Sequence, residues 1–354
     1  MSFPANPNLS NTSINRAGSV LKTKKPSTKE FEEALVTVNE WRIAHAYPIN
    51  TFKSSLHKKT RHYKSPIIAQ RLKRLPTIID KLSRYPEMEL SRMQDIAGVR
   101  AIVDTIKEVR ELQIIYSEPT NFDHILIRED DYILNPKQDG YRGAHLVFRY
   151  NNSRYPQAKQ YNGLRVELQI RTKLQHTWAT AVETMGTFRG EALKSSQGDK
   201  KWLEFFAVLS SAFAYLEGSN LVEGYEDLDP VQTYNEVARL EKALKAIEHL
   251  QGLSVAANHI HTSGTGGFYH LIILNSEQHT VEVKSYTKLQ ILDASEEYAR
   301  TEERAAKGER IEPVLVSAGP LKELKKAYPN YFLDVKDFID KVQIILQFST
   351  VEVV

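Results

Sequence analysis

A stretch in the middle of the chain combines acidic, amide and basic side chains on one predicted strand. In LRVELQIRT, residues 164–172, apolar residues alternate with Glu167, Gln169 and Arg171, so one face is apolar and the other is polar. Such polar groups are costly to bury unless a ligand or a metal satisfies them. The alternative is an antiparallel strand with a solvated outer face. The loop that precedes the strand favours a chemical role.

That loop, KQDGYRG at residues 137–143, leads into a predicted strand at 144–150 and contains groups suited to ligand binding. Its polar and aromatic residues, with the first histidine of the strand, are Lys137, Asp139, Tyr141, Arg142 and His145. A lysine ammonium suits a phosphate group, and a tyrosine ring offers a flat surface. Gly140 and Gly143 allow the backbone to approach a ligand closely. We therefore predict that the loop and the two strands form one binding site.

A second acidic residue precedes another predicted strand. Residues 98–103 are apolar apart from Arg100, which indicates a buried strand, and Asp95 lies just before it. A lone aspartate in this position is more often a turn or helix cap. Together with Glu167, however, Asp95 would supply two carboxylates. These are sufficient to hold Mg²⁺ on a nucleoside triphosphate, because this cation keeps several waters and needs few protein ligands.

The charge of the chain is unevenly distributed. The net charge is only +3, but residues 53–84 are rich in lysine and arginine and almost free of acids. We expect a basic helix over 51–65 and a helix interrupted at Pro76 over 66–84. A solvated helix face is the usual explanation of such a run, but it would normally interleave acids, and residues 66–84 offer only Asp80. We therefore favour binding of a polyanion.

Composition restricts the class of protein. The chain has no cysteine, which excludes disulfides and thiolate metal sites and makes a zinc site in its histidine-containing C-terminal part a weak interpretation. It has no apolar run of about 18 residues and no charged-then-apolar leader, so we expect a soluble, cytoplasmic protein that is not inserted in a membrane. A hydrophobic content of 41% in 354 residues is sufficient for two or three packed domains.

Changes of composition and of apolar periodicity along the chain predict four segments. They are a loose N-terminal arm (1–28), a main domain (29–217), a linker with a connecting helix (218–251) and a small C-terminal α+β domain (252–354). In the last of these, three short strands are expected within 268–293 and a further strand at 313–317, and helices are expected at 294–309, 320–327 and 334–346.

Four motifs, in this order, resemble those of the RelA/SpoT synthetase family. They are RLKRLPTIIDKL (71–82), MQDIAGVRAIV (93–103), KQDGYRGAH (137–145) and VELQIRT (166–172). The resemblance covers roughly residues 30–217. It implies an α+β fold, with a nucleotidyltransferase-like mixed sheet flanked by helices, and transfer of the terminal pyrophosphate of ATP to a ribose 3′-hydroxyl.

The resemblance also implies roles for individual residues. Arg71, Lys73 and Lys81 would contact ATP, Asp95 and Glu167 would hold Mg²⁺, Tyr141 would stack on the acceptor's base, and Lys137, Asp139, Arg142, His145 and Gln169 would be further acceptor contacts. Pyrophosphoryl transfer needs positioning and charge neutralisation more than covalent catalysis. Glu167 is also a candidate base for the 3′-hydroxyl. The family's hydrolase His-Asp dipeptide is not found, so we expect synthesis without degradation.

Within the family, the chain most resembles toxic small alarmone synthetases, and among them the fused toxin-antitoxin CapRel type. The features are Gly143 in place of the usual serine, the entry helix WRIAHAYP (41–48) and the C-terminal domain. This resemblance implies modification of the 3′-CCA end of tRNA by a monomer. It also implies a C-terminal pseudo-zinc-finger that restrains the active site until a phage protein, such as a major capsid protein, binds. Tyr328 and Tyr331 match the segment thought to block the ATP site, although a turn with two packed tyrosines would explain them equally well.

If tRNA is the acceptor, the basic segment gains a second use. Its cations Lys53, Lys58, Lys59, Arg61 and Lys64 would follow the phosphate backbone. A first alternative is a synthetase of guanosine or adenosine alarmones that uses GDP or GTP as acceptor. A second is an inactive nucleotide-binding sensor. The intact Asp95 and Glu167 argue against it, as does the intact loop at residues 137–143, which we call the acceptor loop.

Overall fold

The computed structural model shows helices that flank one mixed sheet. It describes residues 6–23, 28–118, 122–189, 193, 198–256, 259–263, 267, 269–275, 277–278, 280–317 and 335–350. The helices are α1 (Asn11–Thr23), α2 (Lys29–Ala44), α3 (Ala46–Lys59), α4 (Leu75–Arg84), α5 (Ile106–Ser117), α6 (Pro156–Lys159), α7 (Lys173–Arg189), α8 (Lys200–Glu217), α9 (Pro230–Leu244), α10 (Ala246–Ala256), α11 (Ile291–Ala306) and α12 (Lys336–Gln347). The strands are β1 (Ile67–Leu72), β2 (Ala97–Val103), β3 (Ile125–Asp131), β4 (Ala144–Arg149), β5 (Arg165–Thr172), β6 (His259–Ser263), β7 (Tyr269–Asn275), β8 (Thr280–Tyr286) and β9 (Ile311–Ser317).

Within the described residues, nine strands form one sheet in the order β3-β4-β5-β2-β1-β9-β7-β8-β6. The pairs β2–β5 and β6–β8 are parallel, and the other neighbours are antiparallel. The expected α+β class with a mixed sheet flanked by helices is confirmed. The C-terminal strands continue the sheet of the main part, because β9 pairs with β1 where Val316 lies opposite Arg71.

Alternation along the central strands separates a core face from a polar face. Val99 of β2, Leu146 of β4 and Leu168 of β5 are buried in one cluster with Phe52 of α3 and Leu112 of α5. The helices α3 and α5 therefore cover this face. The intervening residues of the same strands point to the opposite face, where the candidate site lies.

A second core joins the end of the main part to the C-terminal helix. Buried apolar side chains from α7, α8, α9, α10 and α12 form one cluster. Phe338 of α12 lies with its ring centroid 6.3 Å from that of Phe206 and 6.1 Å from that of Phe213, both in α8. Helix α12 thus completes the core on which α8 rests.

A buried polar joint connects α11 to the N-terminal half of the chain. Glu302 of α11 accepts hydrogen bonds from Arg42 of α2 at 2.6 and 3.3 Å. Its Oε1 also accepts from the backbone N–H of Leu75 at 2.6 Å. Helix α4 begins after Arg74, whose side chain makes no capping hydrogen bond, so Glu302 replaces the N-cap that the local sequence lacks. Arg42 also donates a hydrogen bond to the Tyr298 hydroxyl at 3.0 Å. We call Arg42, Tyr298, Glu302 and the Leu75 N–H the α2–α11 joint.

Two segments in the first 84 residues differ from expectation. The N-terminal arm was expected to be loose, but residues 11–23 form α1, which buries Ile14 and Leu21 against α2 and α4. The basic helix over 51–65 ends at Lys59 of α3. The predicted interrupted helix over 66–84 is instead strand β1 followed by α4, because β1 pairs along its length with β2. Pro76 lies in the first turn of α4, where its missing N–H costs nothing.

The C-terminal elements largely follow the sequence pattern. The predicted helices at 294–309 and 334–346 correspond to α11 and α12, and the strand at 313–317 corresponds to β9. Among the described residues of 268–293, two strands, β7 and β8, replace the three expected, because Lys288–Gln290 form a 3-10 turn that leads into α11. The helix expected at 320–327 lies outside the described residues. In the part of the chain that the structure describes, no helix has the length and apolar character needed to cross a bilayer.

Candidate active site

The strand register brings the predicted site residues to one face of the sheet. Glu167 of β5 lies opposite Gly98 of β2, which in turn lies opposite Arg71 of β1. Gln169, the next residue of β5 on that face, lies between Arg100 of β2 and His145 of β4. Cations, a carboxylate and an amide therefore form a continuous polar face across β1, β2, β5 and β4.

Asp95 holds two of the predicted ATP-binding cations at the edge of this face. Its carboxylate lies 2.8 Å from Nζ of Lys73 and 3.0 Å from Nζ of Lys81. Burial opposes the negative charge, but the two ammonium groups outweigh burial and hold the pKa of Asp95 well below its ordinary value. Burial, helped by the charges of Lys81 and Arg71, lowers the pKa of Lys73, although the contact with Asp95 acts to raise it. Asp95 is thus ionised and positions both lysines.

A chain of hydrogen bonds connects Glu167 to the predicted stacking tyrosine. His145 Nδ1 lies 2.9 Å from Glu167 Oε1, and His145 Nε2 lies 2.6 Å from the hydroxyl of Tyr141. Burial lowers the pKa of His145, but contacts with Tyr141 and Glu167 prevail and raise it to about 9. Burial would raise the pKa of Glu167, yet His145 and the hydrogen bond from Gln169 lower it. At neutral pH the histidine is therefore a cation that donates to both neighbours.

Helix α8 packs against the acceptor loop and holds it by a hydrogen bond. Ser210 donates a hydrogen bond to the carbonyl of Gly140 at 2.6 Å. A Cβ on Gly140 would lie 2.8 Å from the Trp178 ring, and the residue has a φ of +93°, so glycine is required for both space and backbone conformation. The backbone N–H of Tyr141 donates to Asp139 Oδ1 at 2.9 Å, an Asx turn that explains the aspartate in this loop.

The ammonium group of Lys137 lies over the rings of two tyrosines. Its Nζ lies 4.4 Å from the ring centroid of Tyr132 and 5.2 Å from that of Tyr141. The rings of Tyr132 and Tyr141 are nearly perpendicular, with centroids 5.9 Å apart. Tyr132 also contacts His145 edge-on. These contacts give the acceptor loop two aromatic surfaces and a cation between them.

Asp95 and Glu167 lie in one pocket with Arg71, Lys73 and Arg100. The pocket has a volume of about 50 Å³, which is room for a few water molecules. Their carboxylate oxygens are the ligands that Mg²⁺ prefers, and the cation needs few of them. Among the described residues, no group of three or more acidic or histidine side chains suits a metal. Two carboxylates in one pocket would leave the other positions around Mg²⁺ to water and a phosphate ligand.

Several predicted residues lie elsewhere. Arg142 is buried, and its guanidinium bonds Ser210 at 3.0 Å and Glu217 at 3.1 Å, so the structure gives it an anchoring position in the core instead of an acceptor contact. Lys53, expected on a tRNA-binding surface, is only 9% exposed, because it lies on the inner side of α3. Tyr328 and Tyr331 lie outside the described residues.

Sequence reasoning placed Arg171 on the polar face of its strand but missed Arg100 and Tyr132. Arg100 lines the pocket, and its signal was a single charge in an otherwise apolar strand. Arg171 is buried at the end of the same polar alternation, and burial, followed by the charge of Arg100, lowers its pKa to about 9. Tyr132 had no comparable signal, because only the fold brings it beside Tyr141 and His145.

Comparison with known proteins finds a similarity in the central region of the chain. Residues 70–189 match the family model described as "Region found in RelA / SpoT proteins". These residues are similar to that region of RelA and SpoT proteins. They contain Arg71, Asp95, Tyr141 and Glu167, whereas α1–α3 and the elements from α8 onward lie outside the match.

Individual proteins are similar to part of the chain. "GTP pyrophosphokinase YjbM" of Bacillus subtilis is 36% identical over 123 residues, which are 33% of this chain and 54% of that protein. "GTP pyrophosphokinase YwaC" of the same organism is 29% identical over 130 residues, 35% of this chain and 57% of that protein. The chain thus spans about half the length of these curated relatives. The crystal structure of the small alarmone synthetase 1 from Bacillus subtilis with its product pppGpp is 24% identical, with a TM-score of 0.43, and the match covers 54% of this chain and 94% of that one.

Proposed function

We propose that the protein is an ATP-dependent pyrophosphokinase that transfers the terminal pyrophosphate of ATP to a ribose 3′-hydroxyl. The observation that carries the proposal is the polar face on which Glu167 lies between the Asp95–lysine cluster and the His145–Tyr141 pair. One side of Glu167 offers cations for a polyphosphate, and the other offers an aromatic surface for a nucleoside. The match of residues 70–189 to the RelA/SpoT model supports the same activity.

The cations would bind and neutralise the donor. Arg71, Arg100, Lys73 and Lys81 surround the pocket or its aspartate, and positive charge fixed in place before the reaction is the main requirement of phosphoryl transfer. Mg²⁺ held by Asp95 and Glu167 would neutralise further phosphate charge.

Glu167 would also face the attacking group. The 3′-oxygen attacks the β-phosphorus of ATP, the bond from that phosphorus to the α–β bridging oxygen breaks, and AMP leaves. The ionised Glu167 is placed to take the hydroxyl proton. His145 would act as a positioning residue, because its two N–H groups hold the carboxylate and the Tyr141 hydroxyl in register.

For the acceptor, we propose the 3′-CCA end of tRNA, with a guanosine nucleotide as the second candidate. Gly143 and the cations after α3 support tRNA, since Lys58, Arg61 and Lys64 are exposed and Lys59 is partly exposed. The names of the relatives, both GTP pyrophosphokinases, favour GDP or GTP. Separate reactions of γ-labelled ATP with deacylated tRNA, GDP and GTP test this directly. Label on tRNA alone supports the first candidate, and label on the nucleotides alone replaces it with the second.

We further propose that the C-terminal part restrains the site in a monomer and that a phage protein, such as a major capsid protein, releases it. The contacts of β9 with β1 and of α11 with α4 support coupling between the two parts. Tyr328→Ala and Tyr331→Ala in the full chain should raise the transfer rate, as should added capsid protein. Unchanged rates in all three reactions would contradict the restraint. Removal of the whole C-terminal part is a poor test, because it also removes Phe338 from the core beneath α8.

A further inference from the structure

A group of arginines lies beside Glu167, and none of the roles assigned above involves it. Arg149 ends β4 and Arg165 begins β5, and the two residues are directly opposite each other in the antiparallel register. Arg92 ends the short 3-10 turn before Asp95, and its carbonyl oxygen accepts a hydrogen bond from the Arg165 guanidinium. We call these three residues the arginine group.

The arginine group lies on the face of the sheet that carries the candidate site. Arg165 precedes Glu167 by two residues in β5, so both side chains are on the same side of the strand, with backbones about 7 Å apart. Arg149 has the same relation to His145 in β4, four residues away. The intervening Val166 and Phe148 are buried in the opposite core. The polar face therefore extends past Glu167 to a cationic end.

The charges of this group oppose one another. Arginines directly opposite on neighbouring strands repel each other, and burial together with Arg92 and Arg149 lowers the pKa of Arg165. Among the ion pairs of the described residues, none includes Arg92, Arg149 or Arg165. Arg92 and Arg149 are exposed, and Arg165 is partly exposed. Repelling cations that remain accessible to solvent are suited to an anionic ligand, which would offset the repulsion.

The order of groups along the face matches the order of groups in a nucleotide. The Tyr141 hydroxyl and His145 lie at one end, Glu167 is in the middle, and Arg165 with Arg149 lies at the other end. From Gln169 to Arg165 the strand spans about 13 Å. In a nucleotide, the ribose lies between the base and the 5′-phosphate. A base at Tyr141 and a 3′-hydroxyl at Glu167 would direct the 5′-phosphate toward the arginine group.

We propose that Arg149 and Arg165, supported by Arg92, bind the 5′-phosphate of the acceptor nucleotide. This inference rests on the proposed function, because it uses the placement of the acceptor base and hydroxyl. The phosphate can belong to a free nucleoside diphosphate or to the linkage before the terminal nucleotide of an RNA. Arginine suits both sources, because its planar fork matches phosphate oxygens.

The test is equilibrium binding without ATP turnover. GDP, guanosine, deacylated tRNA and a non-hydrolysable ATP analogue are titrated separately against the full-length protein, Arg149→Gln, Arg165→Gln and the double variant. Arg154→Gln is the matched control, because Arg154 lies in the turn after β4 and pairs only weakly with Asp123, at 3.5 Å. Thermal melting of each variant verifies that it is folded.

We expect each substitution at Arg149 or Arg165 to weaken phosphate-dependent binding about ten-fold, the usual effect of losing one charge-assisted hydrogen bond. Binding of guanosine and of the ATP analogue should not change. A loss confined to GDP identifies a nucleoside diphosphate as the ligand, and a loss confined to tRNA identifies the RNA linkage. The proposal is overturned if the double variant binds GDP and tRNA as the parent does, if the ATP analogue is weakened equally, or if the parent binds neither GDP nor tRNA.

These outcomes separate the inference from the proposed function. A protein that binds GDP or tRNA through the arginine group but transfers nothing would contradict the pyrophosphokinase proposal and leave the phosphate site in place. An active transferase whose double variant still binds the acceptor would contradict the phosphate site and leave the pyrophosphokinase proposal in place.

Discussion

Replacement of Glu302 by alanine should destabilise the protein far more than the loss of an ordinary surface charge. Its side chain is fully buried, as is that of Arg42 at 3% exposure. Without the carboxylate, the Arg42 guanidinium loses its ionic partner, and the N-terminus of α4 loses its only side-chain cap among the described residues. Breaking one side of a buried ion pair costs about 3–5 kcal/mol. We therefore expect the free energy of unfolding to fall by about that amount.

Urea unfolding followed by tryptophan fluorescence measures this loss. The matched control is Glu309→Ala, because Glu309 pairs with Arg304 on the surface, where the two side chains are 46% and 56% exposed. Removal of that pair should cost less than about 1 kcal/mol. Glu302→Gln keeps an acceptor oxygen for Leu75 and should fall between the two. Equal effects of Glu302→Ala and Glu309→Ala would refute the role of the α2–α11 joint.

Three further predictions test other parts of the structure. The pKa of His145 is raised from 6.5 to about 9. The stability that its protonated form contributes is therefore complete below about pH 6.5 and is lost as the pH rises through about 9. Melting curves against pH should show this loss in the parent protein and not in His145→Gln. Gly140→Ala should reduce the free energy of unfolding by about 1–3 kcal/mol more than Gly163→Ala. Both glycines have nearly the same positive φ, but of the two only Gly140 has neighbours within reach of a Cβ. Chemical unfolding of the two variants gives the difference. Phe338→Ala should cost about 3–5 kcal/mol, whereas Phe348→Ala, at a residue that is 60% exposed, should cost little by the same measurement.

Each of these predictions has an outcome that contradicts it. A pH dependence of melting that persists unchanged in His145→Gln would assign the titration to another group. Equal losses in the two glycine variants would show that backbone strain alone explains Gly140. A stable Phe338→Ala protein would mean that α12 is dispensable for the core beneath α8.

The alternation of β5 was the part of the site most accessible from sequence. The strand is central and one face is apolar, so the period of two places Glu167 and Gln169 together whatever the rest of the chain does. The proximity of Asp95 to Glu167 was a hypothesis from the chemistry of magnesium, and the parallel pairing of β2 with β5 puts both residues in one pocket.

Other features depend on distant partners and could not be predicted locally. Strand β1 lies in a basic stretch whose pattern is compatible with a helix, and its pairing with β2 makes it a strand. Arg142 turns into the core because Ser210 and Glu217, about 70 residues away along the chain, supply its hydrogen bonds. The cap of α4 comes from a residue 227 positions away. Such long-range contacts override local propensity.

The most direct test of the proposed activity is the identity of the nucleotide released from ATP. The protein is incubated with Mg²⁺, ATP labelled on the γ-phosphate and the acceptor that takes up label, and the released nucleotides are separated. Pyrophosphate transfer predicts one AMP for each labelled acceptor, no product with Glu167→Gln, and normal product with Glu111→Gln, which alters a carboxylate on α5, across the sheet from the site. Release of ADP in place of AMP, or full activity of Glu167→Gln, would contradict the account.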